Sequence, residues 1–118
     1  MRAKDELGAY GERAAAHFLE AHGLRLLDRN WRCADGEIDI VAADGDGLVF
    51  CEVKTRSGLG FGDPVEAVGE VKAARLRRLA MRWIAAHDGR WPKLRFDVVG
   101  VLRSPRGMTM VKHLRGAF

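Results

Sequence analysis

The stretch GEIDIVAADGDGLVFCEVKTR, residues 36–56, constrains the fold more than any other part of the chain. Glu37 to Ala42 and Leu48 to Thr55 read as two strands, joined by the Gly/Asp-rich connection Ala43-Asp44-Gly45-Asp46-Gly47. Side chains alternate between the faces of a strand. Glu37 and Asp39 therefore share one face, opposite Ile38 and Ile40, while Glu52 and Lys54 share a face opposite Cys51 and Val53. A short hairpin brings Asp39 and Glu52 close on neighbouring strands. Two carboxylates ~4 Å apart repel by roughly 4 kcal/mol at an effective dielectric of 20. Lys54, a bound divalent cation, or both would offset that repulsion. A solvent-facing Glu52–Lys54 ion pair, with Asp39 a surface charge near the turn, accounts for the same spacing.

The remaining elements follow from periodicity and punctuation. Lys4 to His22 is a helix whose stripe collects Leu7, Gly8, Gly11, Ala15, Phe18, Leu19 and His22, with Glu6, Arg13 and Glu20 opposite and Gly23 as the stop. Leu24 to Trp31 is a first strand, followed by the turn Ala34-Asp35-Gly36. SGLGFGDP, residues 57–64, is a loop closed by Pro64, and a second helix runs from Glu70 to His87. Leu94 to Leu102 and Thr109 to Leu114 are strands around Ser104-Pro105-Arg106-Gly107. The order α-β-β-β-α-β-β, a meander followed by a helical crossover, calls for a mixed sheet flanked by helices in an α/β fold.

With 118 residues the chain suffices for one domain, expected to span residues 1–118. Its 47% hydrophobic and 31% charged content is that of a soluble globular protein. No apolar run nears the ~20 residues of a membrane helix, and MRAKDELGAYGERAA lacks the apolar region of a secretory signal. A cytoplasmic location is the default expectation. Cys33 and Cys51 have no C-x-x-C spacing and make neither a zinc site nor, in a reducing compartment, a disulfide. The net charge of +4 leans towards an anionic partner such as nucleic acid.

Further charges stand where apolar residues are expected. Glu12 projects at the edge of the first helix's buried stripe, beside Leu19. Lys72 shares the face of Leu76, Leu79 and Trp83, from which its ammonium reaches either solvent or the acidic hairpin. Arg75, Arg78 and Arg82, three and four residues apart, form a basic stripe that suits phosphates or a solvated helix face. The four histidines show no ligand spacing, the three tryptophans read as packing residues, and the glycine-rich loop lacks the P-loop pattern. Asp97, in RFDVVGV, interrupts an apolar strand and is read as structural, tying down a neighbouring backbone.

GERAAAHFLEAHGLRLLDRNWR, GEIDIVAADGDGLVFCEVKTR, FGDPVEAVGEVKAARL, RFDVVGV and the final HLRGAF together resemble the YraN family of small bacterial proteins, from about Gly11 to Phe118. That family is similar to the Holliday-junction-resolvase branch of the PD-(D/E)XK nucleases. The resemblance implies a restriction-endonuclease-like fold and a metal-dependent endonuclease acting on DNA, junction DNA included, as a homodimer. It implies Mg²⁺ or Mn²⁺ as cofactor, with Asp39, Glu52, Glu12 and the Val53 carbonyl as ligands. Asp39, Glu52 and Lys54 would be the catalytic set and Lys72 a supporting residue. The same fold without turnover, as a nucleic-acid-binding or scaffold module, is the competing expectation.

Overall fold

The computed structural model describes residues 3–58 and 70–118, with side chains from residue 6 and again from residue 73. The glycine-rich stretch read as a loop closed by Pro64 lies, from Leu59 onward, outside the described residues, as does the side chain of Lys72. The elements are α1 (Ala3–Ala21), β1 (Arg25–Cys33), β2 (Gly36–Asp44), β3 (Gly47–Ser57), α2 (Glu70–Ala86), β4 (Lys93–Arg103) and β5 (Thr109–Leu114). They follow the order read from the sequence, and the mixed sheet flanked by helices is a restriction-endonuclease-like arrangement.

The sheet runs β1-β2-β3-β4-β5, antiparallel throughout except for the parallel β3–β4 pair, and α2 is the crossover between those two strands. The strands of the hairpin are longer than read, and their turn shrinks to Gly45-Asp46 because Asp44 and Gly47 already pair. Gly45, with φ 59°, supplies the positive φ at the first central position that such a tight turn requires.

Helices cover both faces of the sheet, and each face has its own core. Ala15, Ala16 and Leu19 of α1 pack on Ile40, Ala42, Val49, Cys51, Val99 and Val101. Leu76, Leu79, Ala80 and Trp83 of α2, at the i, i+3, i+4, i+7 spacing of a buried stripe, pack on Ile38, Val41, Leu48 and Phe50. Each of these fully buried large side chains contributes about 1.5–3 kcal/mol. His22, assigned to the buried stripe of α1, is exposed. The helix has ended at Ala21, and the imidazole folds back with Nδ1 2.8 Å from the Phe18 carbonyl and its ring stacked on Phe18.

Alternation fails at one place in β2. Ile38 and Ile40 were expected on one face, but Ile38 belongs to the α2 core and Ile40 to the α1 core. The cause is a local irregularity. The β2–β3 ladder ends at Ile40–Cys51, and across from Asp39 the β1 residue Asn30 takes φ 52°, a left-handed conformation unusual for a non-glycine residue. The pairing with β1 keeps its register through this point, Arg29 with Ile40 and Trp31 with Ile38, so the faces change here without an inserted residue.

The far half of the sheet is fastened by Asp97, the fully buried charged residue of β4. Its carboxylate accepts two bonds from Arg95, at 2.8 and 2.9 Å, and the backbone N–H of Gly116 at 3.0 Å, while His113 Nε2 lies 2.7 Å away. Burial by itself would raise the Asp97 pKa, but these partners together hold it below the usual carboxylate range. The structural role read for Asp97 is what is seen. His113, read as a surface or core-edge residue, is drawn into this network with its side chain 6% exposed.

Helix α1 approaches β3 closely through Gly11, where a Cβ would fall on the Thr55 side chain. Only a residue without a side chain lets α1 sit at this depth, and Glu12 is the next residue. Gly11→Ala should therefore push α1 outward and destabilise the fold by about 1–3 kcal/mol, measurable as a lower denaturation midpoint with an unchanged m-value.

Candidate metal centre

At the end of the sheet where β2 leaves β3, Asp39 occupies the gap. Its Oδ2 accepts the backbone N–H of Val53 at 2.8 Å, taking the place of a ladder partner. From this position an Asp39 carboxylate oxygen lies within 4.8 Å of one from Glu37 and one from Glu12, three half-buried acids from two elements. Glu37 and Asp39 converge because two residues along a strand return to the same face. Glu12 arrives from α1, held close by the glycine before it.

Burial is the largest cause raising the Asp39 pKa, followed by the charge of Glu52; Glu12 and Glu37 add to it, the Val53 bond opposes it, and the carboxyl is pushed up to about 7. Glu12 is raised as well, chiefly by burial and also by Glu37. A hydrogen bond from the Asn30 side chain and the charges of Arg29 and Arg32 act the other way. Glu52 itself stands outside the triple cluster. Its carboxylate faces Lys54, with Nζ to Oε1 at 3.2 Å and both side chains largely buried, at 18% and 12% exposure. Since Val53 packs with the α1 core, alternation turns Glu52 and Lys54 the other way, towards the side of Leu48 and Phe50.

The sequence-nominated residues are thus gathered at one end of the sheet, but in two groups. Glu12 and Asp39 stand together, while Glu52 and Lys54 pair beside them and act on Asp39 through charge. Val53 contributes its N–H to Asp39. Arg75, Arg78 and Arg82 are exposed on α2, and Arg82 pairs with Asp35 of the β1–β2 turn at 2.5 Å. Two residues of the site were not nominated. Glu37 was legible from its i, i+2 relation to Asp39. Asn30, which reaches Glu12, had no signal, because its role depends on a backbone kink.

The donors suit a hard cation. They are all carboxylate oxygens, and opposite ligands of one octahedral Mg²⁺ lie about 4.2 Å apart, close to the spread of this cluster. Cys51, on the strand next to Asp39, is fully buried and burial drives its thiol pKa upward.

A mixed sheet of restriction-endonuclease-like architecture, with acids gathered where its second and third strands separate, defines the class of this protein. Comparison with known proteins gives the family: residues 11–101 match the model described as Uncharacterised protein family UPF0102, to which the chain belongs. A UPF0102 protein of Beutenbergia cavernae is 62% identical over 116 residues, 98% of each chain. Those of Frankia alni and Arthrobacter sp. (strain FB24) are each 59% identical, over 118 and 116 residues, and cover at least 98% of both chains.

A carboxyl whose pKa is higher folded than unfolded binds protons more tightly in the native state. Its contribution to stability is complete below the unfolded value of 3.8 and is lost as pH rises through about 7. Asp39→Asn, which keeps an acceptor for the Val53 N–H, should stabilise the metal-free protein by about 2 kcal/mol at pH 8, at roughly 1.4 kcal/mol per pKa unit reduced for partial solvent screening. The gain should vanish near pH 4, as read from urea denaturation at the two pH values.

Proposed function

We propose that the protein is a divalent-cation-dependent nuclease that hydrolyses phosphodiester bonds in DNA, with branched DNA as the substrate form suggested by the likeness to junction resolvases. The observation that carries this reading is the convergence of Glu12, Glu37 and Asp39 within 4.8 Å at a broken strand pair, bordered by the Glu52–Lys54 pair. Like charges crowded this closely cost stability, and a cation among them would reverse the cost. DNA as substrate also implies work in the cytoplasm, and a homodimer would supply two sites for a four-way junction.

Asp39, Glu12 and Glu37 would hold Mg²⁺ or Mn²⁺; the nuclease likeness adds Glu52 and the Val53 carbonyl, and Glu52 would have to leave Lys54 and turn towards the cluster to ligate. A bound cation of this kind acidifies a water and offsets charge on a phosphoryl oxygen. The chain's own groups do the rest. Asp39 accepts from Val53 N–H through Oδ2, which leaves Oδ1 to ligate once the carboxyl is deprotonated. Lys54, released from Glu52 by an approaching phosphate, orients the attacking water or neutralises the developing negative charge. Lys72, at the start of α2, is the supporting residue that the nuclease likeness suggests.

The same fold acting only as a nucleic-acid-binding module is favoured by one observation: Glu52 is engaged by Lys54 and stands outside the triple cluster. If that pair stays closed, binding proceeds without turnover.

Incubation with four-way, forked and linear DNA in Mg²⁺ or Mn²⁺ tests the proposal. Cleavage is expected, falling at least ~100-fold in Asp39→Ala and Lys54→Ala. Absence of cleavage at high protein concentration, or cleavage indifferent to both substitutions, would overturn it. Mn²⁺ binding followed by calorimetry should tighten as pH rises through about 7, because Asp39 must give up its proton to ligate.

A further inference from the structure

The acidic cluster cannot attract a phosphate backbone, since the charges that would hold a cation repel the substrate. Cationic groups beside it must hold the nucleic acid, and among the described residues the arginines of α2, to which the sequence pointed, are not those whose charge acts on Glu12. Among the described residues, the cations whose charge reaches Glu12 are Arg29 and Arg32 of β1. Both are exposed, and Arg32 meets Glu37 only loosely, at 3.7 Å with its side chain 79% exposed. Such a pair is weak and readily exchanged for a phosphate.

The location supports the same conclusion. β1 is an outer strand of the sheet, its free edge carrying exposed Arg25, Arg29, Asn30 and Arg32. Arginines on an outer strand also guard against edge-to-edge aggregation, and that role suffices for Arg25. It does not explain why Arg29 and Arg32 flank the kink at Asn30, directly across from Asp39. Arg32 is the next-to-last residue of β1, and in the turn that follows Asp35 pairs with Arg82 of α2.

We propose that Arg29 and Arg32 grip the phosphates on either side of the bond presented to the Glu12–Glu37–Asp39 cluster, so that nucleic acid enters across the β1 edge. This rests on the nuclease reading above and adds the entry side and the residues that hold the strand. Guanidinium groups suit the task because their planar donors engage phosphate oxygens in pairs.

The test measures two affinities on the same proteins: a fluorescent four-way DNA junction in EDTA at several salt concentrations, and Mn²⁺ without DNA. Arg29→Gln/Arg32→Gln should weaken DNA binding at least ~10-fold at 150 mM salt. It should also flatten the log–log salt dependence by about 1.8, two phosphate contacts at ~0.9 each. Mn²⁺ affinity should be unchanged or tighter. Arg29→Lys/Arg32→Lys should recover most of the salt slope, and Arg106→Gln, in the turn beside the opposite outer strand, should leave it intact. A double variant matching wild type in affinity and slope overturns the entry side alone. Joint loss of DNA and Mn²⁺ binding also overturns it, making the arginines braces for the acids. A wild-type protein that binds no DNA overturns the nuclease reading with it.

Discussion

A single hydrogen bond, from the Val53 N–H to the Asp39 carboxylate, decides the character of this sheet. A backbone donor at that point ordinarily belongs to a neighbouring strand. Because a side chain takes it instead, the part of β2 that precedes Ile40 is free to stand away from β3, and the gap admits a helix-borne acid. The same departure lets Ile38 and Ile40 serve opposite cores, so the kink interrupts the ladder yet leaves both isoleucines fully buried.

Two aspartates show how one residue type is turned to opposite ends. Asp97 has every partner a carboxylate can use, and its pKa is depressed in spite of complete burial. Asp39 has, among the described residues, one donor and several acidic neighbours, and its pKa is raised. The first stiffens the β4–β5 half and secures Gly116. The second is held in an environment that favours its protonated form until a positive charge arrives, the pattern of perturbed acids at functional sites. A rigid half and a strained half thus share one sheet, and Cys51, paired with Ile40 on one side and Asp97 on the other, stands at the seam.

Much of this was legible in the residues. Apolar periodicity gave both helices and all five strands, because tertiary packing here agrees with local preference at Leu76, Leu79 and Trp83 as at Val49 and Cys51. The polar interruptions at Glu12, Asp39, Glu52 and Lys54 fall at one end of the sheet. What alternation could not supply was its internal grouping, since the faces change at the kink and no residue type signals a left-handed Asn30. His22 misled for a related reason: a helical wheel says nothing once the helix has stopped. His113 was set aside because its partner lies sixteen residues away on the neighbouring strand.

Cys51 has a chemical consequence of its own. Burial in hydrocarbon favours its protonated thiol, and a thiol is a poorer ligand for soft ions than a thiolate. The sulfur is thereby a packing atom of the α1 core, and the donors gathered at this end of the sheet are carboxylate oxygens.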